Sequence, residues 1–159
     1  MSSDLVRAQV GCTSSQASFP GARRTRRVVG RGGAPAAKAA AAAWTGADPG
    51  RIEVLPATDG APEVWLDGQP APVSLSLSHR AGRALAVVGD DSRPLGCDSE
   101  LIEPRSDAFL REWLAPPGQE LVAAARDATT RDLVANLIWT GKEAAAKVRR
   151  AGLRLDLRR

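Results

Sequence analysis

Two short stretches decide how this chain is interpreted: Gly96-Cys97-Asp98-Ser99-Glu100 and Trp139-Thr140-Gly141-Lys142-Glu143-Ala144-Ala145-Ala146-Lys147. The first lies in a predicted strand over 95–102, where Asp98 and Glu100 project from the same face because they are two residues apart. Two adjacent carboxylates repel each other, and a divalent cation would relieve that repulsion. A solvated acidic edge is the alternative, so the pattern is compatible with a magnesium site without requiring one.

The second stretch lies in the longest predicted helix, over 130–150. One side of that helix carries Trp139, Lys142, Glu143 and Lys147. Glu143 offers a third oxygen ligand, the lysines offer positive charge for phosphates, and the tryptophan either anchors the helix or walls the site. An ordinary Glu–Lys pair beside a core tryptophan is the alternative. Together, the two stretches suit magnesium-assisted chemistry on a phosphate ester.

Two further groups could hold phosphate. His79, the single histidine, follows the serine-rich stretch 73–78, and Ser78 and His79 could both donate hydrogen bonds to an anion. A surface histidine in a hairpin turn is the alternative. The arginine-rich stretch 23–31 and Lys38 could grip a phosphate at a helix start, and a solvated basic arm is the alternative there.

The remaining pattern predicts an α+β fold. Pro35 opens an alanine-rich helix that runs to Trp44. Strands are predicted over 52–55, 63–67, 73–78, 84–88 and 153–157, the third because serine and apolar residues alternate strictly. Helices are predicted over 107–114, which Pro116-Pro117 ends, and over 119–126. Thr129 or Thr130 is the predicted cap of the long helix.

The composition indicates one basic domain. The 159 residues suffice for one core, and the 43% of hydrophobic residues is ordinary for a globular protein. The net charge of +4 favours an anionic partner such as a phosphorylated ligand, an acidic protein or nucleic acid. Cys12 and Cys97 lie far apart and indicate neither a disulfide framework nor a zinc site. We expect a cytoplasmic protein without a membrane span or a secretory signal.

The order Ser-x-Ser-His, then Gly-x-Asp-x-Glu, then Trp-Thr-x-Lys-Glu-Ala-x-x-Lys resembles the 4′-phosphopantetheinyl transferase superfamily over about residues 24–153. The long segment ahead of Gly96 is similar to the two-lobed type of that superfamily. Gly30-Arg31 with Ala36-Ala37-Lys38 is similar to a motif of transferases associated with polyketide and fatty-acid synthases.

The resemblance implies two pseudo-symmetric lobes, each a small antiparallel sheet with a long helix. We expect a flexible arm over 1–22, an N-terminal lobe over 23–93 and a C-terminal lobe over 94–159. The second lobe is expected to be incomplete, because two-lobed relatives continue with further sheet beyond the last lysine. The shortened chain could be a truncated product, a fragment of a larger synthase or a domain that relies on a partner.

The resemblance also implies the chemistry. Mg2+ would be bound by Asp98, Glu100 and Glu143, and Lys147 would neutralise the diphosphate of coenzyme A. Ser78 and His79 would contact phosphate groups of the coenzyme, while Arg31 and Lys38 would favour its 3′-phosphate. A serine of an acidic apo carrier protein, acyl or peptidyl, would attack the β-phosphate, with Glu143 as the base and Lys142 assisting.

The predicted activity is therefore Mg2+-dependent transfer of 4′-phosphopantetheine from coenzyme A to an apo carrier protein, as in a holo-[acyl-carrier-protein] synthase. A homologue that binds coenzyme A or a carrier protein without efficient turnover is the alternative. A nucleic-acid-binding module is disfavoured, because the chain has no recognition motif or aromatic stacking platform.

Overall fold

The computed structural model describes residues 26–30 and 32–150 of the chain. Its strands are β1 (Arg26–Gly30), β2 (Ile52–Pro56), β3 (Pro62–Leu66), β4 (Gln69–Pro70), β5 (Val73–Arg80) and β6 (Arg83–Asp90). Its helices are α1 (Gly33–Thr45), α2 (Asp107–Trp113), α3 (Pro116–Ala123) and α4 (Ala128–Val148), with a short 3-10 turn at Pro49–Arg51. The predicted α+β class is confirmed.

The strands form two antiparallel three-stranded sheets. The main sheet has the order β1-β6-β5, and the small sheet has the order β2-β3-β4. In the main sheet Ser76 lies opposite Val87 and Ser78 opposite Leu85. Because side chains alternate along a strand, these serines face away from Leu75 and Leu77.

The first hydrophobic core lies between α1 and the Leu75 face of the main sheet. Four alanines of α1 are almost completely buried there, Ala36, Ala37, Ala40 and Ala41. Their small side chains let the helix lie close to the strands, and Ile52 and Val64 of the small sheet extend the same core. The predicted alanine-rich helix is thus confirmed and is the first layer of the fold.

The second hydrophobic core lies among the three later helices. Leu110 and Leu114 pack there with Val122 and Ala135. The predicted end of the helix ahead of Pro116-Pro117 is confirmed, since α2 ends at Trp113. The predicted start of the next helix at 119 is wrong, because Pro116 opens α3, where a missing N–H costs no hydrogen bond. The predicted caps of α4 are also wrong, since Asp127 is the N-cap and its carboxylate accepts from Thr130 N at 2.7 Å.

The predicted strand over 95–102 is wrong. Residues 94–106 form neither helix nor strand and instead cross the serine face of the main sheet. Cys97 N donates to Ser76 Oγ at 2.9 Å, and Ser99 N donates to Ser78 Oγ at 3.1 Å. Serine hydroxyls on the face of β5, not backbone groups on its edge, therefore hold this segment.

Several features differ from the sequence-based expectations, and two of the expectations lie outside the described residues. Strands β1 and β4 were not expected, because a short apolar run among arginines and a two-residue strand give little periodic signal. After Asp90 the described residues form three helices and no strand, and the predicted pseudo-symmetry of two lobes is not confirmed. The predicted arm over 1–22 and the strand over 153–157 lie outside the described residues.

No helix within the described part of the chain combines the length and the apolar character needed to cross a bilayer.

Candidate active site

The segment 96–100 is held between the serine face of the main sheet and helix α4. Gly96 marks the closest approach, because a Cβ at this position would lie 1.9 Å from Ala144 O and 2.7 Å from Val148 Cγ2. Cys97 is buried, and its Sγ lies 3.7 Å from Leu85 O. Burial is the main cause that raises the pKa of the Cys97 thiol. Gly96 is therefore required because the segment packs directly against α4, the helix that carries Glu143 and Lys147.

Asp98 is the buried centre of the site, with a side chain only 6% exposed. Its Oδ1 accepts hydrogen bonds from Ser78 Oγ and from Lys147 Nζ, both at 2.8 Å. Lys147 Nζ also donates to Cys97 O at 3.1 Å. The structure thus brings together three of the predicted site residues, Ser78, Asp98 and Lys147.

The second oxygen of the same carboxylate is unsatisfied. Asp98 Oδ2 is buried and has no hydrogen-bond partner, and it is the one such side-chain atom within the described residues. Leaving a charged oxygen buried without a partner costs free energy. A group that supplies positive charge or a donor at this atom would recover that cost.

Glu143 shares the electrostatic environment of Asp98. Its pKa is raised above the ordinary value of 4.5, first by burial and then by the charges of Asp98 and Glu100, while Lys147 opposes the shift. The negative charges of the other two predicted metal ligands therefore act on Glu143.

Glu100 is held by two arginines. Its Oε2 lies 3.4 Å from both Arg80 Nε and Arg105 Nη2. Arg105 also donates from Nε to Asn136 Oδ1 at 2.7 Å, and its guanidinium lies 4.9 Å above the ring centre of Phe109. Arg80, Arg105 and Asn136 were not predicted from the sequence, because their contacts with one another and with Glu100 arise only from the fold.

The chemistry of these donors fits a hard cation, although the arrangement is not a closed metal cage. Among the residues that the structure describes, no three His, Cys, Asp or Glu side chains lie close enough together to hold a metal ion. Mg2+ needs only one or two carboxylates, with waters and substrate phosphates completing its shell. The orphaned Asp98 Oδ2, with Glu143 nearby, meets that requirement.

The remaining predicted residues lie in different surroundings. Lys142 Nζ donates to Trp113 O at 3.0 Å, which directs it toward α2. Trp139 packs edge-on against Phe109 and Trp113, with ring centres 5.3 and 5.5 Å away, so it anchors α4. His79 is exposed near the end of β5.

Of the two predicted 3′-phosphate ligands the structure describes only Lys38, and it does not bring Lys38 to Asp98. Lys38 lies on α1, which packs on the opposite face of the main sheet from Asp98. Arg31 lies outside the described residues.

A cavity of about 660 Å3 opens beside Lys147. Leu75 and Leu77 contribute apolar surface to it, and Arg150 lines it where this residue pairs with Asp59 at 2.9 Å. Its size falls within the range of small-molecule sites. Lys147 therefore connects the buried carboxylate of Asp98 with a space that could receive part of a ligand.

One comparison with known proteins covers the part of the chain that carries Asp98 and α4. Residues 94–159 match the family model of the 4′-phosphopantetheinyl transferase superfamily. The resemblance is thereby confirmed over this part of the chain. No curated protein matches the chain. The match supports a transferase of phosphopantetheine in general terms, and it covers every predicted metal ligand and both predicted lysines of α4.

Proposed function

We propose that this chain transfers 4′-phosphopantetheine from coenzyme A to a serine of an acidic apo carrier protein, in a Mg2+-dependent reaction of the holo-[acyl-carrier-protein] synthase type. The observation that carries the proposal is the buried, unpartnered Asp98 Oδ2 within the segment that matches the superfamily. The two-lobed subtype and a cytoplasmic location are part of this proposal.

Asp98 and Glu143 would hold the magnesium ion, with waters and phosphate oxygens completing its shell. Glu100 is the third ligand that the resemblance implies, although the described side chains do not bring three carboxylates together around one ion. When bound, the ion supplies positive charge to the coenzyme diphosphate, which is the main demand of phosphoryl-type transfer. Lys147 supplies a second positive charge. An ammonium group has three N–H donors, and the described contacts of Lys147 to Cys97 O and Asp98 Oδ1 use two of them. The third could serve a phosphate oxygen at the adjoining cavity.

Glu143 is the proposed base. A carboxylate whose pKa is raised toward neutrality accepts a proton more readily than an ordinary one. It would take the hydroxyl proton of the carrier serine, directly or through a water. The serine oxygen would form a bond to the β-phosphorus, and the bond to the bridging diphosphate oxygen would break, releasing adenosine 3′,5′-bisphosphate. Lys142 could assist from the same helix.

The other coenzyme contacts that the resemblance implies are proposals, with His79 on a phosphate group and Arg31 and Lys38 on the 3′-phosphate. Ser78, for which the resemblance implies a phosphate contact as well, donates its hydroxyl proton to Asp98 in this structure. The net charge of +4 favours encounter with an acidic carrier protein.

A homologue that binds without efficient turnover is the second candidate, and one observation favours it. The chain's own cations already engage two of the three carboxylates, with Lys147 on Asp98 and Arg80 and Arg105 on Glu100. In that case the ion pairs would be structural, and coenzyme A would bind without being consumed.

Intact-mass spectrometry of a panel of apo carrier proteins, incubated with the chain, coenzyme A and Mg2+, tests the proposal. We expect a gain of one phosphopantetheine that a chelator abolishes. Binding of coenzyme A by calorimetry, without any mass gain across the panel, would support the non-catalytic homologue instead.

A further inference from the structure

Two alternate serines of β5 hold the segment that carries Asp98. Ser76 Oγ accepts from Cys97 N, and Ser78 Oγ accepts from Ser99 N. Both serines are buried, with 3% and 6% of their surfaces exposed. Because they share one face of the strand, they meet alternate N–H groups of the segment and place the residue between those groups, Asp98, at a fixed position.

The hydroxyl proton of Ser78 is committed to Asp98 in this arrangement. A serine hydroxyl has a single proton to donate, and Ser78 donates it to Asp98 Oδ1 at 2.8 Å. Its oxygen meanwhile accepts from Ser99 N at 3.1 Å. A phosphate that took a hydrogen bond from Ser78 would therefore have to displace the carboxylate of Asp98.

We propose that Ser78 is a positioning residue for Asp98 and not a phosphate ligand. Its hydroxyl and Lys147 together saturate Oδ1, which fixes the rotation of the carboxylate and leaves Oδ2 for a divalent cation. The inference rests on the proposed function for the presence of that cation. In this proposal the hydroxyl of Ser78 orients the carboxylate of Asp98.

Mn2+ serves as the probe, because it prefers the same oxygen ligands as Mg2+ and its binding can be followed by electron paramagnetic resonance without coenzyme or carrier protein. Ser78→Ala should weaken Mn2+ binding by about tenfold or more, as expected when a partner of a metal ligand is removed. Ser78→Thr, which keeps the hydroxyl, should restore most of the affinity. Ser74→Ala, on the same face of β5, is the matched control and should bind Mn2+ as the wild type does.

Amide hydrogen exchange gives a readout that needs no metal. In Ser78→Ala the Ser99 amide should exchange faster than in the wild type, whereas the Cys97 amide, held by Ser76, should stay slow. Should Ser78→Ala fail to fold, Ser78→Cys, which keeps a weak donor, takes its place.

Any of three results with Ser78→Ala would overturn the inference: unchanged Mn2+ affinity, unchanged exchange at Ser99, or weaker binding of metal-free coenzyme A with Mn2+ binding intact. The last result would make Ser78 the phosphate ligand that the resemblance implies. Absence of Mn2+ binding by the wild type would overturn both the metal site and this role of Ser78. Mn2+ binding that follows the expected pattern, with no carrier protein gaining mass, would overturn the proposed transfer alone.

Discussion

Lys147 Nζ lies 2.8 Å from Asp98 Oδ1, and this ion pair joins the two motifs that dominate the sequence. The pair is unevenly buried, with 31% of the lysine side chain exposed and only 6% of the aspartate side chain. The lysine therefore compensates a buried carboxylate while its own head group remains near solvent. Helix α4 is thus tied to the segment 96–100 by charge as well as by packing.

The first prediction concerns this pair. Lys147→Met keeps the aliphatic length of the side chain but removes the charge that faces Asp98. Because a buried carboxylate would then lose a donor, we expect a loss of about 1–3 kcal/mol in the free energy of unfolding, measured by urea denaturation. Asp98→Asn in the same background should recover part of the loss, and strictly additive effects of the two changes would argue against a coupled pair.

The second prediction concerns the close approach of Gly96 to α4. A methyl group in Gly96→Ala would lie 1.9 Å from the backbone oxygen of Ala144, so the segment or the helix must shift. We expect a loss of at least about 2 kcal/mol, with a lower urea midpoint. Gly141→Ala is the matched control within α4, since a Cβ there meets nothing within 4 Å. It should stabilise the helix by about 0.5–1 kcal/mol, and equal stability of the two variants would contradict the packing argument.

The third prediction concerns the pH dependence that Glu143 imposes. Its pKa is raised on folding, so between the ordinary value of 4.5 and the folded value the native state binds more protons than the unfolded state. The free energy of unfolding therefore falls as pH rises through that interval, and above it the ionised side chain of Glu143 destabilises the fold. Glu143→Gln should raise the melting temperature at pH 7, and the difference from the wild type should vanish below about pH 4.5. A variant less stable than the wild type at pH 7 would show that the carboxylate stabilises the fold.

The fourth prediction concerns the role of Trp139. Because its ring packs edge-on against Phe109 and Trp113, it should act as an anchor between α2 and α4. Trp139→Ala should cost about 2–4 kcal/mol in urea denaturation, and Trp139→Phe should cost clearly less. Weaker coenzyme A binding at unchanged stability would instead make the ring a wall of the ligand site.

Much of the fold could be predicted because the relevant signals are local. The alanine-rich stretch after Pro35 predicts a helix, and the alternation in 73–78 predicts a strand. Both are confirmed, as α1 and β5. The prediction of a strand over 95–102 is wrong because Asp-x-Glu has the period of a strand without being one. The backbone of this segment instead donates to serine side chains 21 residues earlier in the chain. A pattern within one segment cannot show whether its backbone meets an edge or a face.

Some residues of the candidate site could likewise be predicted from the sequence, and others could not. The order of motifs was enough to connect Asp98 with Lys147 and Ser78, which the structure brings together. Arg105 could not be selected, since it contacts Glu100 and Asn136 only through the fold and resembles any other arginine of this arginine-rich chain. The direction of Lys142 toward Trp113 O depends on where α2 docks, which no spacing along α4 reveals.

We propose Asp98 as the essential carboxylate of a phosphopantetheine transfer site. The most direct measurement is intact-mass spectrometry of an apo carrier protein incubated with coenzyme A, Mg2+ and either the wild-type chain or Asp98→Asn. Asp107→Asn, which changes an exposed carboxylate paired with Arg131, is the matched control. We predict one added phosphopantetheine with the wild type and with Asp107→Asn, and none with folded Asp98→Asn. Transfer by Asp98→Asn at the wild-type rate would contradict the account.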